Sequence, residues 1–190
     1  MTQPMLSRFK MALLNFTGEG EYGSVQILSS VAEHAGYLQH HLRQSDVREC
    51  MIMGATPWRA LHLPLSIRGA ETYTVFSSCL PIAMFGVVPQ YNDTECSASI
   101  WMLGSYALED HVRTWLRLTS SVFDYFQQSY DLLENVVPVD HTKTIKWLTL
   151  GGCSFAQTST VINGYECVRF VRCADWLSVS FEEDEQPVSY

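Results

Sequence analysis

Few side chains in this sequence are spaced so that they could do chemistry, and each has a simpler structural explanation. Cys153 follows two glycines but precedes a predicted strand, so no helix N-terminus lowers the pKa of its thiol. Asn135 could bind a carbonyl group, although satisfying a backbone group where two strands separate is the favoured interpretation. Trp101, Trp115 and Trp147 fall at core-periodic positions, which favours packing over a ligand cage. We therefore assign no catalytic and no cofactor-binding residue from the sequence.

Other reactive residue types are equally short of a complete site. His34, His40 and His41 share one predicted helix, yet no carboxylate or cysteine follows them at i+3 or i+4 to complete a metal site. A solvated helix face explains them better, and we predict no metal. The serine pairs at 29–30 and 77–78 lack the G-x-S-x-G context of a hydrolase nucleophile. The sequence also contains neither a P-loop nor an H-E-x-x-H motif.

Composition narrows the class of protein without naming a function. The 190 residues are 47% hydrophobic, enough for one domain with its own core. Charged residues are 17% and aromatic residues 12%, which indicates either a surface covered by a partner or an aromatic-rich core. The net charge of −8 disfavours direct binding to nucleic acid. Six cysteines without C-x-x-C spacing predict free thiols in a reducing compartment, and no apolar run approaches the roughly 20 residues of a membrane span.

The chain divides into three predicted parts. Residues 1–23 form an arm whose apolar residues recur at helical spacing and which ends in the glycine-rich turn Thr17–Gly23. Such an arm packs on its own domain, docks on a neighbouring subunit or stays disordered. Residues 24–175 form the folded domain, and residues 176–190 form an acidic tail.

Within the domain, periodicity and capping signals predict an α+β fold with a mixed, mostly antiparallel sheet flanked by helices. Helices are expected to begin at the capping pairs Ser30/Glu33 and Asp46/Glu49 and at Thr56-Pro57. The further expected elements are strands at 25–28, 71–79, 82–88 with a bulge at Gly86, 97–103 and 132–139, helices at 110–130 and 141–150, and a hairpin of strands 155–161 and 167–172 turned by Asn163-Gly164.

This order of elements resembles the GNAT superfamily of acyl-CoA-dependent N-acyltransferases. Short motifs along residues 25–172 resemble, more narrowly, a family of podovirus proteins, the T7-like head-assembly or internal virion proteins, which are GNAT-like. The motifs are His34-Ala35 through Leu42-Arg-Gln-Ser-Asp46 with Glu49, Gly54, Pro57 and Leu61, then Ile82–Val87, Ile100–Ser105, His111–Tyr130, Leu133-x-Asn135-x-Val137, and Ile145-Lys-Trp-Leu148 with Gly152 and Phe155. His141 departs from the pattern, because Asn is expected there as the cap of the last helix.

The loop at 105–111 bears on whether the resemblance extends to activity. In active GNAT enzymes a glycine-containing loop lets bare backbone amides hold the CoA pyrophosphate. Here the loop reads Ser-Tyr-Ala-Leu-Glu-Asp-His, without glycine, and Glu109 and Asp110 occupy the place of the pyrophosphate. The same two carboxylates are also ordinary helix caps. The sequence therefore predicts a degenerate, acetyltransferase-like scaffold that binds no cofactor.

The resemblance and the altered loop together predict a non-enzymatic virion structural or head-assembly protein. It would act by protein–protein interaction in multiple copies, with other virion proteins such as the portal or internal core proteins as partners, in the virion or the host cytoplasm. The alternative is a CoA-dependent N-acyltransferase made in the infected host, which would use acetyl-CoA to modify a protein amine. A small inhibitor of a host factor is a third possibility, which the acidic tail permits.

Overall fold

The computed structural model describes residues 17–20, 23–91 and 96–174. The predicted helix of the arm and the acidic tail lie outside these residues. The strands are β1 (Thr17–Gly20), β2 (Gly23–Ser29), β3 (Glu71–Ser77), β4 (Leu80–Tyr91), β5 (Cys96–Gly104), β6 (Leu132–Pro138), β7 (Ser154–Ile162) and β8 (Tyr165–Cys173). The helices are α1 (Ala32–Leu38), α2 (Gln44–Ile52), α3 (Pro57–Ser66), a 3-10 helix (Tyr106–His111), α4 (Val112–Phe126) and α5 (Thr142–Leu150).

All eight strands belong to one sheet, in the order β1-β2-β3-β4-β5-β6-β8-β7. Every neighbouring pair is antiparallel except β5 and β6, which run parallel and are connected through the 3-10 helix and α4. The predicted α+β class and mixed sheet are therefore confirmed. Among the described residues, no helix combines the length and apolar character needed to cross a membrane.

Helices cover both faces of the sheet, and each face has its own core. On one face α4 and α5 pack over β3–β6, and α4 buries Trp115, Leu118, Val122, Phe123 and Phe126 there. On the other face the three short helices α1–α3 pack over β4 and β5 around Met84 and Leu103. Both faces of the central strands are thus protected, which leaves the separation of β5 and β6 as the place where a ligand could enter.

Two predicted caps are wrong, because tertiary partners compete with local ones. Ser30 hydrogen-bonds Thr74 of β3 through the two hydroxyl oxygens, at 2.8 Å, and α1 begins after Val31 instead. That helix ends at Leu38. Asp46 lies inside the first turn of α2, where it is buried and bound to groups outside its own helix.

Two predictions about strands also need correction. Gly86 pairs regularly with both neighbouring strands, and the register shift of β3 and β4 falls between Val75 and Phe76. Glycine is required at 86 for another reason, since a Cβ atom there would collide with the carbonyl oxygen of Glu71. The segment Thr17–Gly20, expected as a turn, pairs with β2 as an added strand.

The Asn163-Gly164 turn between β7 and β8 is confirmed. Both residues have positive φ, at 48° and 84°, as a two-residue type I′ turn requires. The Asn163 side chain also donates to the Ile52 carbonyl oxygen at 2.7 Å. This bond ties the tip of the hairpin to the end of α2, beside the site described next.

Candidate functional site: a passage through the sheet

The candidate site begins where the parallel strands β5 and β6 separate. Their ladder has only three residue pairs, from Ser97 with Leu132 to Ser99 with Glu134. Directly beyond it, the Asn135 side-chain amide donates to the Ile100 carbonyl oxygen at 2.7 Å. Its oxygen accepts from the N–H group of Val136 at 2.8 Å. Asn135 therefore satisfies a backbone group at the separation, as the sequence favoured.

Past this point, the edge of β5 that faces β6 leaves the backbone N–H and C=O groups of one residue open. Alternate residues of a strand present their N–H and C=O groups on the same edge. Ile100 is covered by Asn135, and Gly104 is covered because its N–H donates to Asp46 at 2.6 Å and its carbonyl accepts from the Arg43 N–H at 2.9 Å. Met102 lies between them, and no described residue hydrogen-bonds its backbone on this edge. Its N–H and C=O groups therefore face the gap.

The gap opens into a passage that crosses the sheet. A central pocket is lined by residues from both faces of the sheet. It shares lining residues with a second pocket between α4 and α5 and with a third beside α2. Met102 lines all three pockets. The passage can therefore be entered from the helical layer on either side.

The wall of the passage on the side of α4 and α5 is aromatic. The rings of Trp115 and Trp147 lie 6.2 Å apart, and the Trp147 indole N–H donates to the Thr119 hydroxyl at 2.7 Å. The buried indole nitrogen of Trp115 has no hydrogen-bond partner within residues 17–20, 23–91 and 96–174. Both side chains pack in the core, as predicted, but they also line the central pocket, as does Trp101. The sequence did not reveal this second role.

The two mouths of the passage carry opposite charges. The pocket between α4 and α5 is lined by Lys143, Lys146 and Arg43, with Glu109 as its carboxylate. The Lys143 ammonium lies 3.7 Å from Glu109, and both side chains are largely open to solvent. The pocket beside α2 is mainly apolar, and Glu49 is its charged residue.

The connection from β5 to α4 differs from an open, glycine-rich loop. Residues Tyr106–His111 form a 3-10 helix that runs directly into α4, and the Val112 N–H donates to the Glu109 carbonyl oxygen. An amide at the junction of the two helices is thus already used inside the chain. Asp110 is exposed and is not among the residues that line the pocket between α4 and α5. The altered loop therefore offers a pyrophosphate less backbone support than the resemblance implies for active enzymes.

A histidine and a carboxylate meet in the central pocket, and neither was singled out as functional from the sequence. Nδ1 of His141 lies 3.4 Å from Oε2 of Glu49, and the two side chains are 19% and 26% exposed. The Thr144 hydroxyl lies 3.3 Å from both ring nitrogens. The Asp140 carboxylate accepts from Arg48 at 2.8 Å, and that hydrogen bond holds the pKa of Asp140 below its usual value. In the sequence, His in place of the expected Asn at 141 was the feature that could have pointed to this pair.

Cys153 is not a nucleophile in this structure. The side chain is buried, and burial raises the pKa of the thiol to about 12. The six cysteines are all free thiols, which confirms the absence of a disulfide framework.

Comparison with known proteins identifies the fold. By sequence, the chain matches no protein-family model and no curated protein. By structure, it resembles a GNAT-family acetyltransferase from Streptococcus pneumoniae, with a TM-score of 0.56, 7% identity and coverage of 79% of this chain and 99% of the other. It also resembles the ribosomal-protein-alanine N-acetyltransferase from Brucella melitensis, with a TM-score of 0.59, 8% identity and coverage of 78% and 99%. The spermidine N-acetyltransferase from Vibrio cholerae, solved with CoA and spermine, matches with a TM-score of 0.58, 13% identity and coverage of 78% and 95%.

These neighbours confirm the GNAT-like fold and correct three sequence-based predictions. They are N-acetyltransferases, which overturns the prediction of a virion structural protein and the description as a pseudoenzyme. One was solved with CoA, which overturns the prediction that the scaffold binds no cofactor. The narrower resemblance to podovirus head-assembly proteins has no support among them. Of the two functions considered from the sequence, these neighbours favour the alternative over the virion protein.

Proposed function

We propose that this protein is an N-acyltransferase that uses an acyl-CoA, with acetyl-CoA as the simplest donor. The observation that carries the proposal is the passage through the sheet, with lysines at one mouth and a carboxylate at the other. The acyl-CoA, with its anionic phosphates, enters from one side of the sheet, and the cationic amine enters from the other. The two meet at the separation of β5 and β6. Such a meeting supplies the proximity on which a two-substrate transfer depends.

The side of α4 and α5 has the groups that an acyl-CoA requires. The open N–H and C=O groups of Met102 can pair with the amides of the extended pantetheine arm, as an added strand pairs with a sheet edge. Trp115 and Trp147 provide an apolar wall for that arm, and the Trp115 indole N–H is available as a donor. Lys143 and Lys146 lie at the mouth, where phosphates would remain in solvent. When bound, the thioester supplies a carbonyl carbon activated for transfer.

Phosphate recognition on this scaffold rests on side chains more than on backbone amides. The 3-10 helix uses the Val112 N–H internally, and the Glu109 carboxylate opposes an anion at the same mouth. Exposed lysines contribute modestly and are screened by salt, with a Debye length of roughly 10 Å at 0.1 M. We therefore expect micromolar acetyl-CoA affinity that weakens as ionic strength rises.

The acceptor is proposed to be an amine that enters beside α2. The Glu49 carboxylate is the charged group of that mouth and favours a cationic substrate over an anionic one. Two of the structural neighbours are named for amine substrates, one for spermidine and one for the alanine amine of a ribosomal protein. Polyamines, peptide N-termini and lysine peptides are accordingly the first acceptors to test.

Binding is tested by isothermal titration of the full chain with acetyl-CoA at low salt. Replacing Lys143 and Lys146 together by Ala should weaken binding roughly 2- to 30-fold, from about 0.2–1 kcal/mol for each exposed charge pair. The matched control is Arg59→Ala, which removes a cation from the exposed side of α3, away from the passage. Equal weakening in the control and the double variant, or no binding by the unchanged protein, would contradict the proposed donor site.

Transfer is tested with acetyl-CoA labelled in the acetyl group and a panel of these amines. Appearance of label in an amide, together with release of free CoA thiol, is the expected result. Hydrolysis of the thioester without a labelled amide would show a different reaction. Binding without transfer to any amine in the panel would overturn the acyltransferase proposal while leaving the donor site intact.

A further inference from the structure

An N-acyltransferase needs a group that removes a proton from its amine. Alkylamines have a pKa near 10.4 and are protonated at neutral pH, so the lone pair that attacks a carbonyl is blocked. A proton acceptor must therefore face the passage within hydrogen-bonding reach of the amine. Within the described part of the chain, the candidate site contains four carboxylate or imidazole side chains that could serve: Asp46, Glu49, Glu109 and His141.

Two of the four are ruled out by their own contacts. Asp46 is fully engaged, because Oδ2 accepts from Arg43 and the Gly104 N–H while Oδ1 accepts from Ser45. Glu109 lies at the opposite mouth, beside Lys143 and on the side proposed for the phosphates. Glu49 and His141 remain, and they are neighbours in the central pocket.

The geometry divides the roles of this pair. Nδ1 of His141 faces Glu49 at 3.4 Å, so a proton on Nδ1 leaves Nε2 as the accepting nitrogen. Hydrogen bonds fix the main chain at this position, because the His141 N–H donates to the Pro138 carbonyl oxygen at 2.9 Å and the His141 carbonyl oxygen accepts from the Ile145 N–H at 3.1 Å. A histidine oriented by a carboxylate at the start of a helix is a preorganised base.

We propose that His141, oriented by Glu49, accepts the proton of the amine substrate; this assignment rests on the proposed function. The ammonium gives one proton to Nε2, and the Glu49 carboxylate stabilises the resulting imidazolium. The freed nitrogen lone pair forms the C–N bond as the C–S bond breaks. The second nitrogen proton leaves with the sulfur as a thiol, and His141 returns its proton to water.

The charges around His141 come from four elements. From α2, Glu49 faces the ring directly, Arg43 and Asp46 form a closed pair beside it, and Arg48 is engaged by Asp140. From α5, Lys143 is directed to Glu109 of the 3-10 helix. The remaining titratable neighbours are the thiols of Cys50 in α2 and Cys167 in β8, both near Glu49. Asp140, next to His141 in the chain, also interacts with it electrostatically, and Glu49 is the carboxylate that lies against the ring.

The test replaces His141 by Asn, which keeps a polar side chain and removes the titratable base. We expect kcat/KM for the amine to fall roughly 100- to 10,000-fold at neutral pH, the usual contribution of a general base. Acetyl-CoA affinity by isothermal titration should not change. The deficit should shrink as the pH approaches about 10, where the amine loses its proton unaided. His40→Asn, on an exposed position of the chain, is the matched control.

Glu49→Gln separates orientation from proton transfer. It keeps a hydrogen-bond acceptor for Nδ1 but removes the charge that stabilises the imidazolium, so the loss should be smaller than in H141N. The pH–rate profile should keep its shape in E49Q, whereas in H141N the rate should keep rising until about pH 10, where the amine loses its proton unaided. An unchanged profile in H141N, with transfer intact, would overturn the role of His141 and leave the acyltransferase standing. Absence of transfer in the unsubstituted protein would overturn both proposals.

Discussion

Asp46 is the residue through which α2 is fastened to the edge of the passage, and replacing it tests that interpretation. The carboxylate is 2% exposed and accepts from the Gly104 N–H at 2.6 Å and from Arg43 at 2.9 Å. Asp46→Ala leaves a largely buried guanidinium without its anion and a buried amide without an acceptor. Removing one partner of a buried ion pair costs about 3–5 kcal/mol. For a chain of this length that corresponds to a fall in Tm of roughly 6 to 20 °C.

Two companion variants resolve this cost into its parts. Asp46→Asn keeps one oxygen for the Gly104 N–H, so it should lose less stability than Asp46→Ala. The double variant Arg43→Met/Asp46→Leu removes both charges, and replacing a whole buried ion pair by apolar residues often leaves the free energy of unfolding nearly unchanged. The Gly104 N–H would still lack an acceptor, so a cost of about 1–3 kcal/mol should remain.

Urea unfolding followed by tryptophan fluorescence measures these free energies, and acetyl-CoA titration reports on the passage. We expect Asp46→Ala to weaken acetyl-CoA binding as well, because Arg43 and the end of β5 lose their common anchor. Ser45→Ala is the control, since it removes only the hydroxyl that donates to the other carboxylate oxygen. Unfolding free energies of Asp46→Ala and Ser45→Ala that agree within about 0.5 kcal/mol would refute the reasoning.

Three further outcomes can be checked. Glu109→Gln should tighten acetyl-CoA binding about 2- to 5-fold, because the solvent-screened Glu109 carboxylate opposes nearby phosphates by up to about 1 kcal/mol. Unchanged affinity in titration at low salt would argue against phosphates at this mouth. Gly151→Ala should lower the free energy of unfolding in urea by about 1–3 kcal/mol, since the new Cβ would lie 2.9 Å from a Phe123 ring carbon. The control Gly164→Ala meets open space and adds only the strain of a positive φ, so equal losses in the two variants would contradict the packing argument. Because burial raises the pKa of the Cys153 thiol to about 12, a thiol reagent at pH 8 should label exposed Cys79 in the folded protein and Cys153 only after unfolding. Rapid labelling of both would show that the core around Cys153 opens.

The functional prediction from sequence was wrong for an identifiable reason. The altered loop at 105–111 was interpreted correctly as poor in backbone donors, and the 3-10 helix there bears this out. The conclusion that no cofactor binds did not follow, because it treated the loop as the whole donor site. Under the proposed function, Lys143, Lys146 and the open backbone groups of Met102 also belong to the donor site, and they come from other parts of the chain. Short sequence motifs do not show where these groups lie in the folded protein.

The sequence by itself determined the elements whose signals are local. The type I′ turn at Asn163-Gly164 follows from the left-handed conformations those residues tolerate, and the face that α4 buries follows from its apolar period. Only the tertiary structure decided which side chains meet. Asp46 was expected to cap α2 and instead binds β5, and His141 meets Glu49 across a long interval of chain. Local propensity acts over a few residues, whereas the gap between β5 and β6 depends on the register of the sheet and the packing of helices on both of its faces.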